Sequence, residues 1–107
     1  MQIDLNAPHM KVTDSIQNTV DEAFARAVKA HQRYVESVSV HLEDINAQKG
    51  GIDNKCKVVG HMAHGGHTLV VEEVGTDILA TIRAASHRFE QALAKEADRT
   101  RDKKHRG

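Results

Sequence analysis

GGIDNKCKVVGHMAHGGHTLVVEEVGTDILATI, residues 50–82, is the stretch that decides the fold. A glycine pair opens it. An alternating run over residues 53–62 follows, with Cys56, Val58 and Met62 on one side and Lys55, Lys57 and His61 on the other. Period-two alternation reads as a half-buried strand, and Gly60 within it predicts a bulge or bend. Ala-His-Gly-Gly-His at residues 63–67 then connects to a second β-branched run over residues 68–74. Two such runs around a glycine-containing loop predict a hairpin. Leu69, Val70 and Val71 are apolar in succession, so periodicity leaves the facing of the second run open. Gly75, Thr76 and Asp77 end that strand and start a helix, because Thr-Asp stands directly before the periodic run Ile78, Leu79 and Ile82.

On the N-terminal side, Ile3 and Leu5 alternate with Gln2, Asp4 and Asn6, as in a short strand, and the only proline, Pro8, sits in the connection after it. Thr13 is a good N-cap, with Asp14 in the first turn, where a negative charge is stabilised. Ile16, Val20, Ala23, Phe24, Ala27 and Val28 recur at three- and four-residue steps, which predicts a helix over residues 14–32. Val38, Val40 and Leu42 alternate with Ser37, Ser39, His41 and Glu43, which predicts a strand over residues 35–44, and a polar loop follows over residues 45–52. On the C-terminal side, Ile78, Leu79, Ile82, Ala85, Ser86, Phe89, Ala92 and Leu93 form the stripe of a helix over residues 77–98. The expected class is α+β, in the order β-α-β-β-β-α. A helical crossover makes the first two strands parallel and the rest form an antiparallel meander. Each helix has one apolar stripe, so both helices pack on one face of a four-stranded mixed sheet. The other face then shows Ser37, Ser39, His41, Lys55, Lys57 and His61. Residues 1–98 make a single domain, and residues 99–107 a basic tail expected to be flexible.

A chain of 107 residues can bury one modest core without staples. No apolar run is long enough for a transmembrane helix. The start, Met-Gln-Ile-Asp-Leu-Asn, lacks the basic-then-apolar layout of a signal peptide. The one cysteine, Cys56, alternates with Val58 and reads as a buried strand thiol. A cytoplasmic setting fits these features. Fifteen basic and fifteen acidic residues cancel, which argues against indiscriminate polyanion binding. The distribution is uneven, because residues 99–107 carry five basic side chains and one acidic one. Two readings stay open for that end: cations favoured by the helix dipole, or a basic end that touches phosphates.

His61, His64 and His67 are spaced to converge on zinc or nickel if the hairpin loop folds back. The plainer reading is a polar turn whose imidazoles face water or phosphate, since no adjacent Cys or carboxylate offers a fourth ligand. Glu72-Glu73 and Glu43-Asp44 are paired acids at strand ends with no visible reason for burial, and catalytic carboxylates need a cleft. Ser86 and His87 are adjacent on a helix and diverge, so they make no nucleophile–base pair. An enzyme is therefore not expected, and no cofactor is implied.

Several local patterns, in this order, resemble the ribosome hibernation-promoting factor family, also called ribosome-associated inhibitor A or sigma-factor modulation protein. They are Met-Gln-Ile-Asp-Leu-Asn at the start, Val12-Thr13-Asp14, Gly50-Gly51-Ile52-Asp53 with Cys56-Lys57-Val58, and Leu69-Val70-Val71-Glu72 leading to Asp77-Ile78-Leu79-Ala80-Thr81-Ile82. The chain departs from the family pattern at Leu79, usually aromatic, at Arg83, usually acidic, and in its neutral balance. The family's long form has a second, dimerising domain, so the resemblance implies a short form.

The resemblance implies a factor that silences translation in stress or stationary phase. It would bind the small ribosomal subunit, both rRNA and ribosomal proteins, in the channel used by messenger and transfer RNA. A separate ribosome-dimerising factor is a further implied partner, and neither a membrane nor a small-molecule substrate is. Carried over, the phosphate contacts would come from Arg26, Lys29, Lys55, Lys57, Arg83, Arg88, Lys95, Arg99, Arg101, Lys103 and Lys104. Such contacts supply affinity without reading sequence. Two Phe and one Tyr give little support for base stacking on the sheet. Alternatives are a different RNA- or protein-binding module on this scaffold, or a metal-responsive protein using the three histidines.

Overall fold

The computed structural model describes residues 2–8, 10–44, 54–63 and 67–106, with side chains described through Asp98. The elements are β1 (Gln2–Asn6), α1 (Asp14–Val28), a 3₁₀ segment (Lys29–Tyr34), β2 (Val35–Asp44), β3 (Asn54–Met62), β4 (Thr68–Gly75) and α2 (Ile78–Arg106). The sheet order is β1-β2-β3-β4, with β1 parallel to β2 and the other pairs antiparallel. This is the expected α+β architecture. The expected loop over residues 45–52 lies outside the described residues, as does His64.

Register explains the two faces. Ile3, Val38, Gly60 and Leu69 form one row across the sheet, and Leu5, Val40, Val58 and Val71 the next. These rows meet the stripes of both helices in one core that includes Ile16, Val20, Phe24, Ile82, Phe89 and Leu93. The Phe24 and Phe89 rings lie 6.3 Å apart at 59°, a tilted pair that joins α1 to α2 above the sheet. The facing of β4, open in the sequence, resolves as Leu69, Val71 and Glu73 inward and Val70, Glu72 and Val74 outward. Cys56 is fully buried. Desolvation, with the Glu73 carboxylate as a lesser cause, pushes its thiol from the ordinary 9.0 up to about 12.

Both helices start on caps. The Thr13 hydroxyl accepts from the Ile16 N–H at 3.2 Å. The Asp77 carboxylate accepts from the Leu79 N–H at 3.0 Å. Each cap satisfies an otherwise orphaned donor.

Three expectations need correction. Gly60 marks no bulge, since it pairs in register with Val38 and Leu69. A Cβ there would sit 2.5 Å from the Phe89 ring, so the glycine makes room for that ring. The register shift lies instead between Val35 and Ser37, and it lets Val35 face the core alongside Val38 despite its odd spacing. The first helix was expected to reach residue 32. Its α-helical part stops at Val28, where the apolar stripe ends, and His31 (φ −131°, ψ 22°) breaks the helical geometry ahead of β2. The second helix was expected to end near residue 98, and it continues to Arg106. Nothing between Ile78 and Arg106 is Gly or Pro, so the loss of apolar residues alone does not end the backbone helix.

Candidate functional site

Lys55 and Lys57 on the sheet, and Arg26 and Arg83 on the helices, fall on two opposite surfaces. Lys55 and Lys57 stand on the open face of the sheet, where they line a shallow hollow with His41 and Glu43. Lys57 is opposite His41 on one side and Glu72 on the other. The Lys55 Nζ lies 3.8 Å from the Glu72 Oε1, so part of this charge is already balanced. His61 shares this face, opposite Ser37 and Thr68.

Arg26 and Arg83 come together on the helix side. They line an open groove of about 340 Å³ between α1 and α2, with Glu22, His87 and Glu90. Arg83 and His87 are one turn apart on α2, as Glu22 and Arg26 are on α1, so each pair shares a helix face. Among the described residues, ion pairs join Lys55 to Glu72, His67 to Glu96 and Arg88 to Glu73, and none joins Arg26 or Arg83 to Glu22 or Glu90. Ser86 also borders the groove, and its hydroxyl donates to the Arg83 carbonyl at 2.8 Å.

Arg88 belongs to neither cluster. Its Nε lies 3.1 Å from the Glu73 Oε1, an ion pair that ties α2 to the edge strand β4. Lys29 and Lys95 are exposed, on the 3₁₀ segment and on α2. Arg99, Arg101, Lys103 and Lys104 lie on the helical backbone beyond Asp98, and their side chains are outside the described residues. The three histidines of the metal reading do not share a surface as far as they are described. His61 is on the open sheet face, while the His67 Nε2 lies 3.6 Å from the Glu96 Oε1 of α2.

His87 and His41 were missed as site residues. The i, i+4 spacing of Arg83 and His87 was available in the sequence. Their meeting with Glu22 and Arg26 depends on how the helices dock, which a single chain's periodicity does not give.

Residues 3–101 match the family described as Sigma 54 modulation protein / S30EA ribosomal protein. The chain belongs to this family. It is the family of the resemblance drawn from the sequence, and its members are ribosome-associated modulators rather than enzymes. The fold is similar to that of a ribosomal subunit interface protein from Coxiella burnetii, with a TM-score of 0.77 at 13% identity, covering 92% of this chain and 99% of that one. It is also similar to the N-terminal domain of Protein Y from Thermus thermophilus, with a TM-score of 0.68 at 23% identity, covering 89% and 98%. At these identities the likeness shows the shared fold. No curated protein sequence matches significantly. Among the described residues, no helix of this family member is long and apolar enough to cross a membrane.

Proposed function

We propose that this protein is a hibernation-type factor that binds the small ribosomal subunit and silences translation. The carrying observation is the match to the S30EA ribosomal protein family over residues 3–101. The fold, shared with a ribosomal subunit interface protein, is in keeping with the same reading. Binding rests on Arg and Lys side chains that meet rRNA phosphates, where Arg makes bidentate contacts and Lys acts as a point charge. Arg26 and Arg83 are the leading pair, because both are exposed, share one groove and are not engaged in an ion pair among the described residues. Lys29 and Lys95, both exposed, add further phosphate contacts, and the basic end of α2 adds Arg99, Arg101, Lys103 and Lys104. Lys55 and Lys57 lie across the sheet from this surface and make a secondary contact. The protein acts in the cytoplasm, where ribosomes are, under conditions of arrested growth. A separate dimerising factor acts beside it on the ribosome. In a reconstituted translation reaction, stoichiometric addition of this protein lowers peptide output, and undiminished output contradicts the silencing role.

A further inference from the structure

We propose that the open edge of β4 pairs with the same edge of a second copy of this chain, antiparallel and centred on Glu72. β4 ends the sheet and pairs with β3 alone. Among the described residues, no backbone hydrogen bond from a turn, loop or cap reaches residues 68–75. Alternate residues of the strand therefore point N–H and C=O groups outward, a template for another strand. Folded proteins blunt such edges with a lysine, a proline, a bulge or a very short strand. β4 has eight residues, neither lysine nor proline, and an unbroken register with β3. The occupant is identified by the sequence along the strand. Every second position over residues 68–76 reads Thr, Val, Glu, Val, Thr, the same in both directions. A two-fold match about Glu72 sets Val70 opposite the second copy's Val74, and Val74 opposite its Val70. These two valines are 52% and 49% exposed, and β-branched cross-strand pairs are favourable. The two Glu72 side chains meet at the centre, where like charges oppose pairing. Each has the Lys55 Nζ at 3.8 Å and Lys57 opposite it on β3. This end of the face thus carries no net negative charge, even with Glu43 opposite Lys55 on β2. On the helix side, Val71 meets the second copy's Glu73, whose carboxylate is in an ion pair with its own Arg88. Since Glu72 and Glu73 are both already in ion pairs, the edge suits a second copy better than a basic extended peptide. The inference does not depend on the function proposed above.

The test uses the full chain. In sedimentation equilibrium the wild type is expected to show a weight-average mass that rises with concentration from 11.8 kDa towards twice that value. A one-strand interface is small, so the dimer forms at high micromolar concentration. Val70→Lys, at an exposed position, is expected to keep the melting temperature and to stay monomeric throughout. Register is read separately, with a short thiol cross-linker on the variants Val70→Cys and Val74→Cys. Mixed, the two variants are expected to cross-link between chains. Each alone is not, because identical positions lie four residues out of register, about 13 Å apart. Cys56 is buried and stays out of the reaction. A wild type that remains monomeric at every concentration overturns the proposal. So does a Val70→Lys variant that still dimerises, and so does cross-linking in either single variant equal to that of the mixture.

Discussion

The Phe89 ring fills the space that a side chain at position 60 would need, so Gly60 and Phe89 form one packing unit. Gly60→Ala is expected to destabilise by about 1–3 kcal/mol through overpacking. Phe89→Leu in the same chain should restore part of the loss, because contacting residues are not additive. Equal urea midpoints for Gly60→Ala and the wild type would contradict the close approach. Phe24→Ala and Phe89→Ala are each expected to cost about 3–5 kcal/mol, since both side chains are fully buried. Cys56 gives a pH dependence of definite sign. Its folded thiol titrates at about 12, against an ordinary value of 9.0. Above the ordinary value the unfolded chain loses a proton that the folded one keeps, so stability is full below it and declines as pH rises towards the folded value. Chemical denaturation at pH 8 and pH 10.5 should show a steeper loss in the wild type than in Cys56→Ala. Parallel losses would contradict the burial account. The buried thiol and the Phe stripes were legible from spacing alone. The role of Gly60 was not, because a bulge and a close approach leave the same mark in a strand.

At the level of elements, α2 does two jobs that can be separated. Among the described residues its last buried position is Ala97, while its backbone stays helical to Arg106. Deleting residues 99–107 is therefore expected to leave the melting temperature nearly unchanged and to weaken ribosome binding several-fold. A large fall in melting temperature would show that the basic end supports the fold, and equal affinity would remove its proposed contact role. Arg83→Gln with Lys95→Gln should weaken binding without touching the core, since both side chains are exposed. Arg88→Gln should cost up to about 1 kcal/mol of stability, the scale of its exposed pair with Glu73. The sequence marked α2 by its stripe and capping Asp77, and β2 by alternation. It did not show that Arg88 is already paired, because Glu73 follows apolar residues whose facing periodicity could not fix.

For the whole molecule, a neutral chain in a family of ribosome-associated proteins must rely on where its charges lie. The strand order and the choice of sheet face were readable, since one apolar stripe per helix and one apolar face per strand admit few packings. That Lys55 and Lys57 lie on the face opposite the helices was readable as well; the meeting of Arg26 with Arg83 in one groove was not, because it depends on helix docking. If phosphate contacts carry binding, each one removed should lower the log–log salt slope by roughly 0.7 to 0.9. The most direct test of the central claim is a sucrose gradient of this protein with purified ribosomal subunits at moderate salt. The protein is expected to migrate with the small subunit and to leave it as salt is raised. A protein that stays at the top of the gradient at low and moderate salt alike would contradict the proposed function.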